Sequence, residues 1–125
     1  MKYLQQNNPF SKFALLIILL FTISVTFAQK GKVNTALALK DAGKLDRALT
    51  TIEETLDANN SKAESSINWP KTWEVRGEIY RAVFQSKDEN FKKLSADPLT
   101  VAYDSYFKEV ELDSKNSFAK SIKII

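Results

Sequence analysis

The sequence predicts an all-α fold, antiparallel helical hairpins behind an N-terminal signal peptide. Three observations carry that expectation. Apolar residues recur at offsets of three and four through most of the chain, which is helical periodicity. No run alternates as a strand would, and the β-branched residues concentrate near the N-terminus. Glycine and proline are scarce, three each, and 44% of residues are hydrophobic, which fits a packed helical chain and not a disordered one.

Composition also excludes chemistries. The 125 residues allow one small domain at most. There is no cysteine and no histidine. That removes disulfides, thiolate nucleophiles, lipid attachment at a cysteine behind a signal, histidine–metal sites and the usual histidine base. No cofactor or metal is expected. The formal charge is +3, but Lys2 and Lys12 lie in the leader, which leaves 16 basic against 15 acidic residues from Gln29 onward. A mixed-charge solvated surface follows, and nucleic acid is not an expected partner.

The leader has the three parts of an export signal. Lys2 and Lys12 supply the basic start, residues 13–21 (FALLIILLF) the apolar run, and Thr26-Phe27-Ala28 a small-residue cleavage site. The cut is expected after Ala28, with Gln29 as the first mature residue. A membrane-spanning helix needs about 20 apolar residues. Residues 13–28 give 16, broken by Thr22, Ser24 and Thr26. The mature chain is therefore expected outside the membrane, periplasmic or secreted.

Two hairpins follow, over residues 29–60 and 69–114. Residues 33–42 (VNTALALKDA) are rich in strong helix formers, and Gly43 marks a turn. Leu45, Ala48, Leu49, Ile52 and Leu56 form one stripe, with Arg47, Thr51, Glu54 and Asp57 opposite. Residues 59–68 read as a polar linker. Pro70 suits the first position of a third helix, whose expected face is Trp69, Trp73, Gly77, Tyr80 and Phe84. The pattern is lost over residues 85–97. Asp97-Pro98 then restarts it as cap and first residue, with Leu99, Ala102, Tyr103, Tyr106 and Val110 as the stripe. After a polar break at 113–116, Phe118, Ile122 and Ile125 begin a further helix within residues 117–125.

The unit of helix, turn, helix and polar break occurs twice. In the second unit, Trp73-x-x-Arg76-Gly77-x-x-Tyr80 precedes Ala102-x-x-x-Tyr106. In the first, Ala36 and Leu39 precede Gly43-Lys44-Leu45-Asp46-Arg47-Ala48 and Ile52. This resembles the tetratricopeptide repeat, in which a tryptophan, a small residue and an aromatic on one helix pack against an alanine and an aromatic on the next. Several positions depart from it. Arg76 stands where leucine is usual, Thr55 and Glu109 where alanine is, and Asn60 and Ser114 where proline closes the unit. The small residue lies 12 positions before the alanine in the first unit and 25 before it in the second, so residues 85–97 read as an insertion.

The resemblance implies an α-solenoid fragment and a non-catalytic scaffold for protein–protein interaction, with a protein or peptide partner. It places that partner along the first helix of each unit, on Val33, Leu37, Lys40, Glu74, Glu78 and Arg81. A structural helical module of a larger envelope protein, with no groove of its own, is the other reading. Candidate catalytic groups have plainer explanations. Glu53-Glu54 and Glu109/Glu111 diverge on a helix, since neighbours point about 100° apart, and a solvated face accounts for them. Ser65-Ser66 with Lys62 matches no helical Ser-x-x-Lys spacing. Lys92-Lys93 lacks a glycine-rich loop.

Overall fold

The structure is a computed structural model that describes residues 8–113, with the backbone alone for residues 21–26. The expected helix at 117–125 lies outside the described residues. Six helices and no strand are found among the described residues: α1 (Pro9–Asp41), α2 (Leu45–Glu54), α3 (Glu64–Ile67), α4 (Pro70–Gln85), α5 (Glu89–Lys92) and α6 (Pro98–Leu112).

Local chemistry sets the helix ends. Asn8 caps α1, its side chain accepting from the Phe10 amide, and Pro9 takes the first position. At the other end Gly43 adopts φ +74°, a backbone that favours glycine. The Gly43 amide donates to the Lys40 carbonyl and the Lys44 amide to that of Leu39, both at 2.9 Å. That crossed pair satisfies two terminal carbonyls and turns the chain sharply into α2. Asp97 caps α6 through the Thr100 amide, with Pro98 behind it, and Pro70 opens α4.

α1 and α2 form one antiparallel pair and α4 and α6 the other, with α4 seated against both α1 and α2. The first core holds Val33, Ala36, Ala48, Ile52, Val75 and Ile79, flanked by Leu37, Leu39, Leu49 and Trp69. The second holds Tyr80, Ala102 and Tyr106, flanked by Leu49 and Val101. Each large side chain fully buried there contributes about 1.5–3 kcal/mol. At the α4–α6 crossing, Gly77 faces the Tyr106 ring.

Several expectations need correction. α1 does not begin near Val33 but runs unbroken from Pro9. The 59–68 linker contains α3, because buried Ser66 donates to the Thr55 carbonyl at 2.6 Å and to the Ala63 carbonyl at 2.9 Å. The 85–97 insertion contains α5, capped by Asp88. α4 packs on α6 and, on another side, on α1 and α2, and so buries two faces. Thr72, Val75, Ile79 and Val83 supply the one that the aromatic stripe does not predict, while Phe84 is exposed. On α6 the buried positions are Ala102, Ser105, Tyr106 and Glu109, and Leu99 and Tyr103 face outward.

Candidate functional site

The six residues expected to meet a partner do not share one environment. Val33 is buried in the first core and presents no surface, because the α1–α2 contact consumes it. Leu37 packs against the same core from its edge. Lys40 and Glu78 meet directly, the Lys40 ammonium donating to Glu78 Oε2 at 2.8 Å and lying 3.1 Å from Asp41. Glu74 pairs with Lys71 at 3.0 Å, on the row that Glu78 continues one turn later. Arg81 is partly exposed one further step along α4. The structure thus brings Leu37, Lys40, Glu74, Glu78 and Arg81 to adjoining rows of α1 and α4.

Burial alone would lower the Lys40 pKa. Its hydrogen bonds and charge interactions with Glu78 and Asp41 outweigh that, so the value is raised and the lysine stays cationic. The Tyr106 hydroxyl lies buried without a hydrogen-bond partner among the described residues. Burial raises its pKa, with Arg81, Glu78, Glu109 and Lys40 contributing to its electrostatic surroundings.

A second polar cluster is absent from the sequence reading. Arg76 donates through Nε to Glu53 Oε1 at 2.8 Å and through Nη1 to Ser105 Oγ at 3.1 Å. The Tyr80 hydroxyl donates to the same Glu53 oxygen at 2.8 Å. Arg76 also lies over the Tyr80 ring, 5.0 Å from its centroid. The cluster ties α2, α4 and α6 together. Its signal was the arginine in a leucine slot, but its partners lie 23 and 29 residues away, beyond any local pattern. Glu53 is therefore engaged by Arg76 and Tyr80 while its side chain stays 37% exposed, and Glu54 points apart from it to Lys32 at 3.5 Å.

Other candidates have structural roles. The Ser66 hydroxyl is spent on backbone carbonyls. Trp73 Nε1 donates to the Ile67 carbonyl at 2.7 Å, and Trp69 packs against the first core. Lys92 pairs with Glu89 at 2.8 Å. No group of three acidic side chains among the described residues is arranged to hold a metal ion. A depression on α2, lined by Asp46, Arg47, Thr50 and Thr51, is shallow and open.

The chain matches no family model, no curated protein and no solved structure. The reading of this surface therefore rests on its residues.

The tyrosines make stability fall at alkaline pH. Burial, reinforced by the bond to Glu53, pushes the Tyr80 hydroxyl up to about 12 from an ordinary value of 10. Below pH 10 both folded and unfolded states keep the proton, and the stabilisation is complete. Between pH 10 and 12 the unfolded chain releases it first, so stability is lost as pH rises, by about 2–3 kcal/mol at most for this group. Tyr106 and Lys40, also raised, act in the same direction. The urea midpoint is expected to hold from pH 7 to 9 and to fall above 10. The fall should be shallower in Tyr80→Phe, and an unchanged slope in that variant contradicts the assignment.

Proposed function

We propose that this chain is an exported, non-catalytic scaffold of tetratricopeptide type, which binds a protein or peptide along the first helices of its two hairpins. The Lys40–Glu78 contact at 2.8 Å carries the reading. It joins α1 to α4, so that Leu37, Glu74 and Arg81 extend one surface across both units. Small residues at the contacts, Ala36 and Ala48 in one pair and Gly77 and Ala102 in the other, support the repeat character.

Export rests on where burial starts. Residues 8–20, Phe27 and Ala28 are exposed, and Phe10, Phe13 and Leu15 are 82, 67 and 69% so. An apolar surface of that extent belongs in a membrane or a translocation channel, not in water. Gln29 is the first buried residue among those whose side chains are described, followed by Val33 and Ala36. Cleavage after Ala28 would leave both cores whole. Protein recovered after export is expected to begin at Gln29 and to match the uncleaved chain in urea midpoint. Intact mass retaining Met1 contradicts the cleavage.

Glu78 is committed to Lys40, so the binding test falls on its freer neighbours. Affinity capture from an envelope fraction is expected to retain one defined set of partners on the wild-type protein. Glu74→Lys with Arg81→Glu should lose that set while helicity by circular dichroism is unchanged. Equal capture by both proteins contradicts the surface. The structural-module reading draws on a different observation, the exposed apolar side chains of α6, and predicts no partner lost in that variant.

A further inference from the structure

The bond at which the leader is expected to be cut, Ala28–Gln29, lies inside a helix and at the edge of the first core. α1 runs unbroken across it, from Pro9 to Asp41. Exposure changes abruptly at that bond. Phe27 is 70% exposed and Ala28 is exposed, whereas Gln29 is only 3% exposed. The Gln29 Oε1 is buried with no hydrogen-bond partner among the described residues. Its neighbour is engaged as well. The Lys30 ammonium lies 5.1 Å from the centroid of the Trp69 ring, and Trp69 packs against the first core. Val33, one turn further on, is completely buried.

A protease needs the opposite arrangement. It holds the residues on either side of the bond as an extended strand, so that alternate side chains enter its pockets and the scissile carbonyl is free. In a helix that carbonyl faces the amide four residues on, and neighbouring side chains point about 100° apart. Extending the chain across Ala28–Gln29 would therefore unwind α1, draw Gln29 out of burial and lift Lys30 off the Trp69 ring.

We propose that folding of the first hairpin shuts the cleavage junction, so that the leader is removed from the unfolded chain and a precursor that folds first keeps it. This order of events rests on the export reading, under which Ala28–Gln29 is cut at all. Cleavage then precedes the docking of α1 on α4. A folded precursor is cut only through its transient openings, since cleavage of a closed site follows the open population.

The test treats the full-length precursor, held in detergent micelles, with purified signal peptidase and reads the products by intact mass. Ile52→Asp/Ile79→Asp, with carboxylates at two completely buried positions, supplies the unfolded precursor. That variant is expected to be cut at Ala28–Gln29, and the folded wild type to be cut at least about tenfold more slowly. Inserting about six glycine and serine residues between Ala28 and Gln29 moves the bond off the core. The insertion protein should be cut at the unfolded rate while its tryptophan fluorescence stays that of the folded protein. Folded wild type cut within about tenfold of the unfolded rate would overturn the proposal and leave the export reading standing. An insertion protein as resistant as the folded wild type would also overturn it, because the protection would then come from the micelle. An unfolded precursor left uncut at Ala28–Gln29 would remove the export reading itself, and the order of events with it.

Discussion

Gly77→Leu is expected to lose about 1–3 kcal/mol of stability from overpacking, read as a urea midpoint lower by about 1 M. The cause is a single contact. A Cβ built at Gly77 would sit 2.6 Å from Tyr106 Cε1 and 2.9 Å from Cδ1 and Cζ. The Tyr106 ring is 6% exposed and packs in the second core with Tyr80 and Ala102. It cannot swing aside without surrendering that burial. Gly77→Ala sets the same clash against the helix propensity gained on replacing glycine, about 1 kcal/mol, and should fall between wild type and leucine. Tyr106→Ala alone should cost about 3–5 kcal/mol by leaving a cavity. In Gly77→Leu/Tyr106→Ala the leucine enters that cavity, so the double variant should lose less than the two losses added, by about 0.5–3 kcal/mol. A Gly77→Leu protein as stable as the wild type would mean that α4 and α6 do not cross this closely.

Signals carried by one or two neighbouring residues were legible in the sequence. Gly43 takes the turn because the backbone there needs a positive φ, and Asp97-Pro98 starts α6 because each residue suits one terminal position. Signals that depend on a distant neighbour were not. A single stripe on α4 follows from counting its aromatic residues, but a helix between two partners needs two buried faces, and Val75, Ile79 and Val83 supply the second. Leu99 and Tyr103 satisfy the same period as Ala102 and Tyr106, so period alone could not say which of the two rows meets α4. The surface shows the same division. Lys40 and Glu78 both stand at positions that the resemblance assigns to the surface, yet their pairing across 38 residues comes only from the packing of α1 on α4. The resemblance also places Val33 beside them. An apolar residue one turn before Ala36 belongs to the α1–α2 contact instead, and its complete burial follows.

Ile79→Ala should be more damaging than Gly77→Leu, with a loss of about 2–5 kcal/mol. Ile79 is completely buried among Val33, Ala36, Ala48, Ile52 and Val75, side chains from three helices. The next residue, Tyr80, belongs to the other core and reaches Glu53 of α2 through its hydroxyl. α4 therefore serves both hairpins, and neither has an independent interior of useful size. Disturbing α4 at Ile79 should lower the stability of α6 as well as of α1 and α2. The two regions report separately. Selective tryptophan excitation follows Trp69, packed against the first core, with Trp73 of α4, and tyrosine emission follows a set that includes Tyr80 and Tyr106 of the second core. Both signals should move to lower urea by the same amount in Ile79→Ala and stay coincident. Leu99→Ala, on the exposed row of α6, should shift neither by more than about 0.5 kcal/mol. If the tryptophan transition moved alone and the tyrosine signal kept its wild-type midpoint, the hairpins would be independent units, and α4 would not be the element that holds them together.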